Sequence, residues 1–145
     1  MRQATFYILN QTNELGSSIP AHFACACQII ADYYRQGARI FVHTDDQQHS
    51  HLIDELLWSF DADSFIAHNL AGEGPSYGSP VEISHTAPTN RRHILVNLAT
   101  EPPEFVQKFQ QIIDFVPAEE SLKQLARARY SAYRRLGINL NTISV

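Results

Sequence analysis

Glycine is scarce in this chain, and the little there is does not lie where a nucleotide-binding protein needs it. A dinucleotide fold carries G-x-G-x-x-G directly after its first strand. The corresponding turn here, NQTNELGSS, holds one glycine. The phosphate loop G-x-x-x-x-G-K-[ST] is absent as well. The sole G-x-G, Gly72-Glu73-Gly74, runs into Pro75, and its glutamate repels phosphate. No bound nucleotide or other cofactor is therefore expected. Cysteine is equally sparse. Cys25 and Cys27 lie two apart on an expected helix and point in different directions, which excludes a disulfide between them. Free thiols, together with an N-terminus MRQATFYILN that enters a strand-like run without a leader, suggest a cytoplasmic protein. No apolar run approaches about 18 residues, so no membrane-spanning helix is expected.

Catalytic motifs are missing too. There is no G-x-S-x-G nucleophile elbow. Nothing supports Cys25 as a nucleophile paired with a distant histidine. His49 and His51 have the look of a metal pair, but at i,i+2 on a helix they point about 200° apart. No second pair completes a site, and both read as surface histidines. Asp45, Asp46 and Asp54 read as helix-start and surface acids. A chain without the parts of a known catalytic site points to a binding protein rather than an enzyme.

What is present describes one α/β domain over residues 1–145, large enough for its own core. Ala4–Leu9 reads as a buried strand, and Asn10 to Ser18 as a polar loop. Pro20 starts a helix to about Gln36, capped by Gly37. Arg39–His43 is a second strand, and Asp45/Asp46 open a helix to Leu57 or Trp58. This β-α-β-α rhythm marks an open, mainly parallel, Rossmann-like sheet covered by helices. Phe60 to Pro80, rich in Asp, Ser, Gly and Pro, reads as a loop. Val81–Ile83 and His93–Leu98 are further strands, and Glu104 to Gln111 a short helix. Ile112–Val116 is the last core strand, stopped by Pro117.

The final helix, Glu119 to Leu136, gathers five of the eleven Lys/Arg of a chain whose net charge is -4. That overall acidity argues against nucleic-acid binding across the whole surface. At about 100° per residue, Lys123, Arg127, Tyr130 and Arg134 project within roughly 60° of one another. Leu122, Leu125, Ala126, Tyr133 and Leu136 form a neighbouring stripe expected to face the core. Such a cationic face is ordinarily a solvated one. The acidic first turn and basic later turns suit the helix dipole, but do not explain the alignment of the cations. No carboxylate lies beyond Glu120, so these cations lack i,i+4 acid partners. After Gly137, a C-cap by position, the tail INLNTISV can fold beside the stripe and wall a pocket. Three cations and a phenol beside an apolar flank suit an anionic, partly apolar ligand. A second segment, Trp58 to Pro75, sets Trp58, Phe60, Phe65 and Leu70 in a polar, Gly-rich context. These rings either pack beneath the loop or anchor a partner.

The stretches ATFYIL, SFIAHNLAGEGP, GSPVEI, RRHILVNL, DFVP and ESLKQLARARYSAYRRLGINLNT resemble the chi-subunit family of the bacterial DNA polymerase III holoenzyme, from about Ala4 to Thr142. HNLAGEGP followed by DFVP-x-E-x-SLKQLAR-x-RY carries most of that resemblance. It implies a non-catalytic clamp-loader accessory subunit with a nucleotide-fold likeness but no nucleotide. It implies two partners, the psi subunit and the acidic C-terminal tail of the single-stranded-DNA-binding protein, with nucleic acid met only indirectly. That tail ends in Pro-Phe with a free carboxylate, which requires cations and an apolar slot. Lys123, Arg127 and Arg134 can supply the charges, with Arg127 central. Val116, Tyr130, Leu140 and Thr142 are candidates for the slot, and by the same resemblance Trp58 and Phe65 are candidates for psi.

Two rival functions follow from the same residues. One is direct single-strand binding by the basic helix, which needs several interleaved rings where the stripe offers only Tyr130. The other is a small Rossmann-like nucleotide-dependent enzyme, for which the glycines are missing. A helicase-type partner in place of psi also fits the aromatic loop.

Overall fold

The β-branched and aromatic runs of the sequence pair into one open sheet in which every strand points the same way. The computed structural model describes residues 2–10, 19–59, 66–73, 79–89 and 91–145. In chain order these contain β1 (Gln3–Ile8), α1 (Ala21–Arg35), β2 (Ile40–His43), α2 (Gln47–Ser59), β3 (His68–Leu70), β4 (Val81–Ser84) and β5 (Ile94–Asn97). A 3-10 turn (Val106–Lys108), β6 (Gln111–Val116), α3 (Glu120–Arg135) and β7 (Asn139–Ser144) complete the order. Among the described residues the sheet has seven strands in the order β3-β4-β2-β5-β6-β1-β7. All its pairings are parallel.

Parallel strands need crossover connections, and the crossovers cover both faces. That is why β4 and β5 are buried at every position. Alternation along β2 divides the core in two. Ile40 and Val42 face α1 and α2, meeting Cys27, Ile30, Ile53 and Leu57. Phe41 faces the other way, meeting Phe6, Leu95, Phe109, Ile112 and Tyr133 beneath α3 and the 3-10 turn. Phe6, Phe41 and Tyr133 are all 0% exposed. Each such ring contributes on the order of 1.5–3 kcal/mol by leaving water. Gly137 has φ 79°, the left-handed turn that ends α3 and turns the chain back toward β7.

Several expectations are corrected here. The segment read as a loop from Phe60 to Pro80 contains β3, an edge strand pairing His68–Leu70 with Val81–Ile83. The helix expected from Glu104 to Gln111 is a single 3-10 turn, because Phe109 breaks away at φ -112°, ψ 145° to enter β6. The tail after Gly137 is a full edge strand, paired with β1 from Gln3↔Asn139 to Ile8↔Ser144. On α3, Leu125 and Leu136 do not face the core; they are 38% and 45% exposed. The inward positions are Ala126, Arg129 and Tyr133. His49 is half-buried rather than a surface histidine, its ring edge-on to Phe23 at 5.4 Å. Cys25 is half-buried and Cys27 fully buried, where burial pushes the Cys27 thiol up to about 12.

Candidate functional site

α3 starts after Pro117, which ends β6, and Glu120 places a negative charge in its first turn. Its basic residues then divide by face. Lys123, Arg127, Tyr130 and Arg134 lie along one face at i, i+4, i+7 and i+11. Arg127 and Arg134 are exposed, while Lys123 and Tyr130 are half-buried. The Tyr130 ring meets Phe6 edge-on at 5.3 Å. Val116 at the end of β6, Tyr130 on α3 and Leu140 on β7 all pack against the same apolar cluster. Thr142 is exposed, two positions beyond Leu140 and hence on the same face of the strand. Val116, Tyr130 and Leu140 thus each border that cluster, with the cationic row on the same helix as Tyr130, but Val116 stands level with Ile8 and Leu140 level with Ala4, two strands apart, so the structure does not bring Val116 and Leu140 together. The tail forms β7, an edge strand beside which no further strand lies among the described residues.

The cations are not wholly without acid partners. Arg127 Nη1 lies 3.6 Å from Glu120 Oε1, two turns back, with both side chains more than two-thirds exposed. A pair so exposed contributes little and yields easily to a competing anion.

Arg129, two residues from Arg127, belongs to the core. It is 5% exposed, and its Nε and Nη2 lie 3.1 Å from the Asp114 carboxylate. Nη1 donates to the Thr100 carbonyl and Nη2 to that of Phe115, both at 2.9 Å. Tyr133 Oη donates to Asp114 Oδ2 at 2.8 Å, and Asn97 donates to the same oxygen at 3.2 Å. Burial raises the Asp114 carboxyl above its usual value, and Arg129 and the Phe115 N–H offset part of that. Burial, then the neighbouring Asp114, pushes the Tyr133 hydroxyl far up. The network fastens α3 to β5 and β6. The signal for it was Asp114 inside the apolar run IIDFV, since a carboxylate buried in a strand requires a cation. Helical spacing alone left the role of Arg129 open.

The same arginine accounts for the crevice at the carboxyl ends of the strands, where open α/β sheets commonly bind ligands. That crevice, about 150 Å³, lies among His22, His49, Asn97, Phe115 and Arg129. Its one guanidinium is committed to Asp114 and two carbonyls. Burial, then Arg129, lowers His22 to about 4, so this imidazole is neutral near pH 7. Among the described lining residues, neither a free cation nor a glycine turn awaits a phosphate.

Trp58 ends α2 with 57% of its surface exposed. Its ring stands 4.6 Å from that of His68, which reaches Asp54 through Nε2 at 3.2 Å and the Ile66 carbonyl through Nδ1 at 2.7 Å. Asp54 is half-buried beside β3 rather than simply a surface acid, though His68 Nε2 makes no hydrogen bond to it. Phe65, the other ring assigned to that surface, and Phe60 lie outside the described residues. Asp46 caps α2 by accepting the His49 N–H at 2.8 Å, as expected of a helix-start acid. No described helix is long and apolar enough to cross a membrane.

Residues 1–141 match the family described as DNA polymerase III chi subunit, HolC. The chain is 44% identical over 144 residues to the DNA polymerase III subunit chi of Escherichia coli (strain K12), covering 98% of this chain and 97% of that one. It is 39% identical to the Haemophilus influenzae chi subunit, covering 99% and 98% of the two chains. It is 31% identical to that of Pseudomonas aeruginosa, covering 97% and 94%. Among solved structures, T4 UvsW shares the fold with TM-score 0.63 at 10% identity, over 99% of this chain and 41% of that one. That likeness concerns the fold alone. The chain belongs to the DNA polymerase III chi-subunit family, and so to the accessory subunits of the DNA replication machinery.

Proposed function

We propose that this protein is a non-catalytic bridge in the cytoplasm, holding the acidic C-terminal tail of single-stranded-DNA-binding protein on one surface and the psi subunit of the clamp loader on another. The observation that carries the first half is a row of cations on the same face of α3 as the half-buried Tyr130, which borders an apolar cluster. Lys123, Arg127 and Arg134 meet the acidic residues and the terminal carboxylate, with Arg127 able to grip a carboxylate in two places. Tyr130, Leu140 and Thr142 receive the terminal ring. The weak Arg127–Glu120 pair holds the guanidinium near the surface until the tail displaces the glutamate.

Titrating a fluorescent acidic peptide ending in Pro-Phe tests this directly. Wild type binds it in a salt-sensitive manner, and Arg127→Ala loses about 1.5–3 kcal/mol of binding. An affinity unchanged within error removes the assignment. Direct recognition of single strands finds little support, because the stripe has one half-buried ring where stacking needs several. A DNA mobility shift at physiological salt is expected to show little retention.

The exposed Trp58 supports the second half, since a large ring left in water at a helix end is a common interface anchor. With Phe65 it forms the proposed psi contact. A psi pull-down that survives Trp58→Ala together with Phe65→Ala removes this assignment.

A further inference from the structure

Nine of the eleven Lys/Arg lie in two places: five in α3, and four around one cavity at the opposite end of the strands from the carboxyl-end crevice. This cavity, about 440 Å³, is lined by Arg2 before β1, Arg91 and Arg92 before β5, and Lys108 before β6. Gln107 and Gln110 add amide donors. No carboxylate stands among its described lining residues, in a chain where acids outnumber Lys/Arg 15 to 11.

Arg92 sets this cavity apart from an ordinary basic surface. It is 3% exposed, yet its guanidinium is only partly satisfied. Nη1 donates to the Pro80 carbonyl at 2.9 Å and to that of Ile40 at 3.4 Å. Nη2 approaches Glu82 Oε2 only to 3.6 Å, beyond hydrogen-bond reach, and neither Nη2 nor Nε has a hydrogen-bond acceptor. Arg2 Nε is likewise buried without an acceptor. A buried guanidinium with open N–H groups is costly unless an anion completes it. Burial lowers the Arg92 pKa, Glu82 opposes this, and the neighbouring Arg39 adds to it.

We propose that this cavity is a phosphate-binding site, taking a phosphate oxyanion, free or esterified, among Arg2, Arg91 and Lys108, with Arg92, whose Nε and Nη2 lack acceptors and are closed to solvent, turning its guanidinium outward to meet it. Planar guanidinium forks match phosphate oxygens in geometry as well as charge. The site differs in kind from the α3 surface, where cations share a helix face with the half-buried Tyr130. The only ring among the described lining residues, Phe109, is 2% exposed and cannot stack on a base. Recognition therefore rests on phosphate and not on a nucleobase, which favours a compact polyanion such as pyrophosphate.

Calorimetric titration of the full chain with inorganic pyrophosphate, inorganic phosphate and a short oligothymidylate, at fixed ionic strength, tests this. Two variants accompany wild type: Arg91→Gln with Lys108→Gln, both exposed positions that leave the core intact, and Lys123→Gln with Arg127→Gln on α3. Saturable pyrophosphate binding, at least tenfold weaker in the Arg91/Lys108 variant and unchanged in the α3 variant, supports the site. Binding of the oligothymidylate alone, with the same dependence on Arg91 and Lys108, also supports it and identifies an esterified phosphate as the source. No binding of any of the three, or binding that survives in the Arg91/Lys108 variant, overturns it. So does binding lost equally in both variants, which would indicate charge without a site.

Discussion

Arg127 and Arg129 stand two residues apart on one helix and do opposite work. Arg127 points to solvent, loosely paired to Glu120 at 3.6 Å. Arg129 is 5% exposed and gives its guanidinium to Asp114, Thr100 and Phe115. Cation count along a helix says nothing about role; role is set by what each face meets. One face has a buried carboxylate waiting in β6. The other has water and the edge of an apolar cluster.

The largest effect expected from breaking this comparison is on stability. Arg129→Ala leaves Asp114 buried and unpaired, and should cost about 3–5 kcal/mol in urea unfolding. Arg127→Ala should fall within about 0.5 kcal/mol of wild type in the same measurement. Equal losses from the two would mean that the faces are not distinct.

Acid comes next in size. His22 titrates at about 4 in the fold because burial and Arg129 oppose its protonation. Burial lowers His43 as well. Unfolded imidazoles take protons near pH 6.5 that these two refuse in the fold. Stability from this source is therefore complete above about pH 6.5 and is lost as pH falls toward 4. For His22 the loss is at most about 3 kcal/mol, reduced by its partial exposure. His22→Gln should flatten the slope of unfolding free energy against pH between 6.5 and 4; an unaltered slope would show that burial does not hold His22 neutral in the fold.

A smaller effect sharpens the buried side. Tyr133→Phe removes one hydrogen bond to Asp114 and keeps the ring against Phe6, and should cost about 1–2 kcal/mol in urea unfolding. The smallest effect is on the exposed side. Glu120→Gln frees Arg127 from its carboxylate neighbour on α3, and should change stability by less than about 0.5 kcal/mol while tightening acidic-peptide binding slightly. Weakened peptide binding in that variant would mean that Glu120 positions Arg127 rather than competes for it.

The sequence carried the α/β rhythm because Ala4–Leu9, Arg39–His43 and His93–Leu98 are apolar runs of strand length, and because Gly37 and Gly137 punctuate helix ends at positive φ. It did not disclose β3, a three-residue strand amid Gly and Pro that exists only through its pairing with β4. Nor did it disclose β7, whose Asn-Leu-Asn-Thr alternation is weak strand chemistry until β1 offers a full ladder. The alignment of Lys123, Arg127, Tyr130 and Arg134 was legible because helical spacing fixes it. The burial of Arg129 was not, because it depends on Asp114, fifteen residues earlier and on another element. Leu125 and Leu136 misled for the same reason: the helix turns an arginine inward, and the wheel shifts with it.

Chemical-shift mapping of the full chain with the acidic Pro-Phe peptide tests the central claim most directly. Saturating shifts should cluster at Lys123, Arg127, Tyr130, Leu140 and Thr142, with Arg129 and Asp114 spared because their network stays closed. Shifts confined to the crevice around His22 and His49, or to the Trp58 surface, would contradict it.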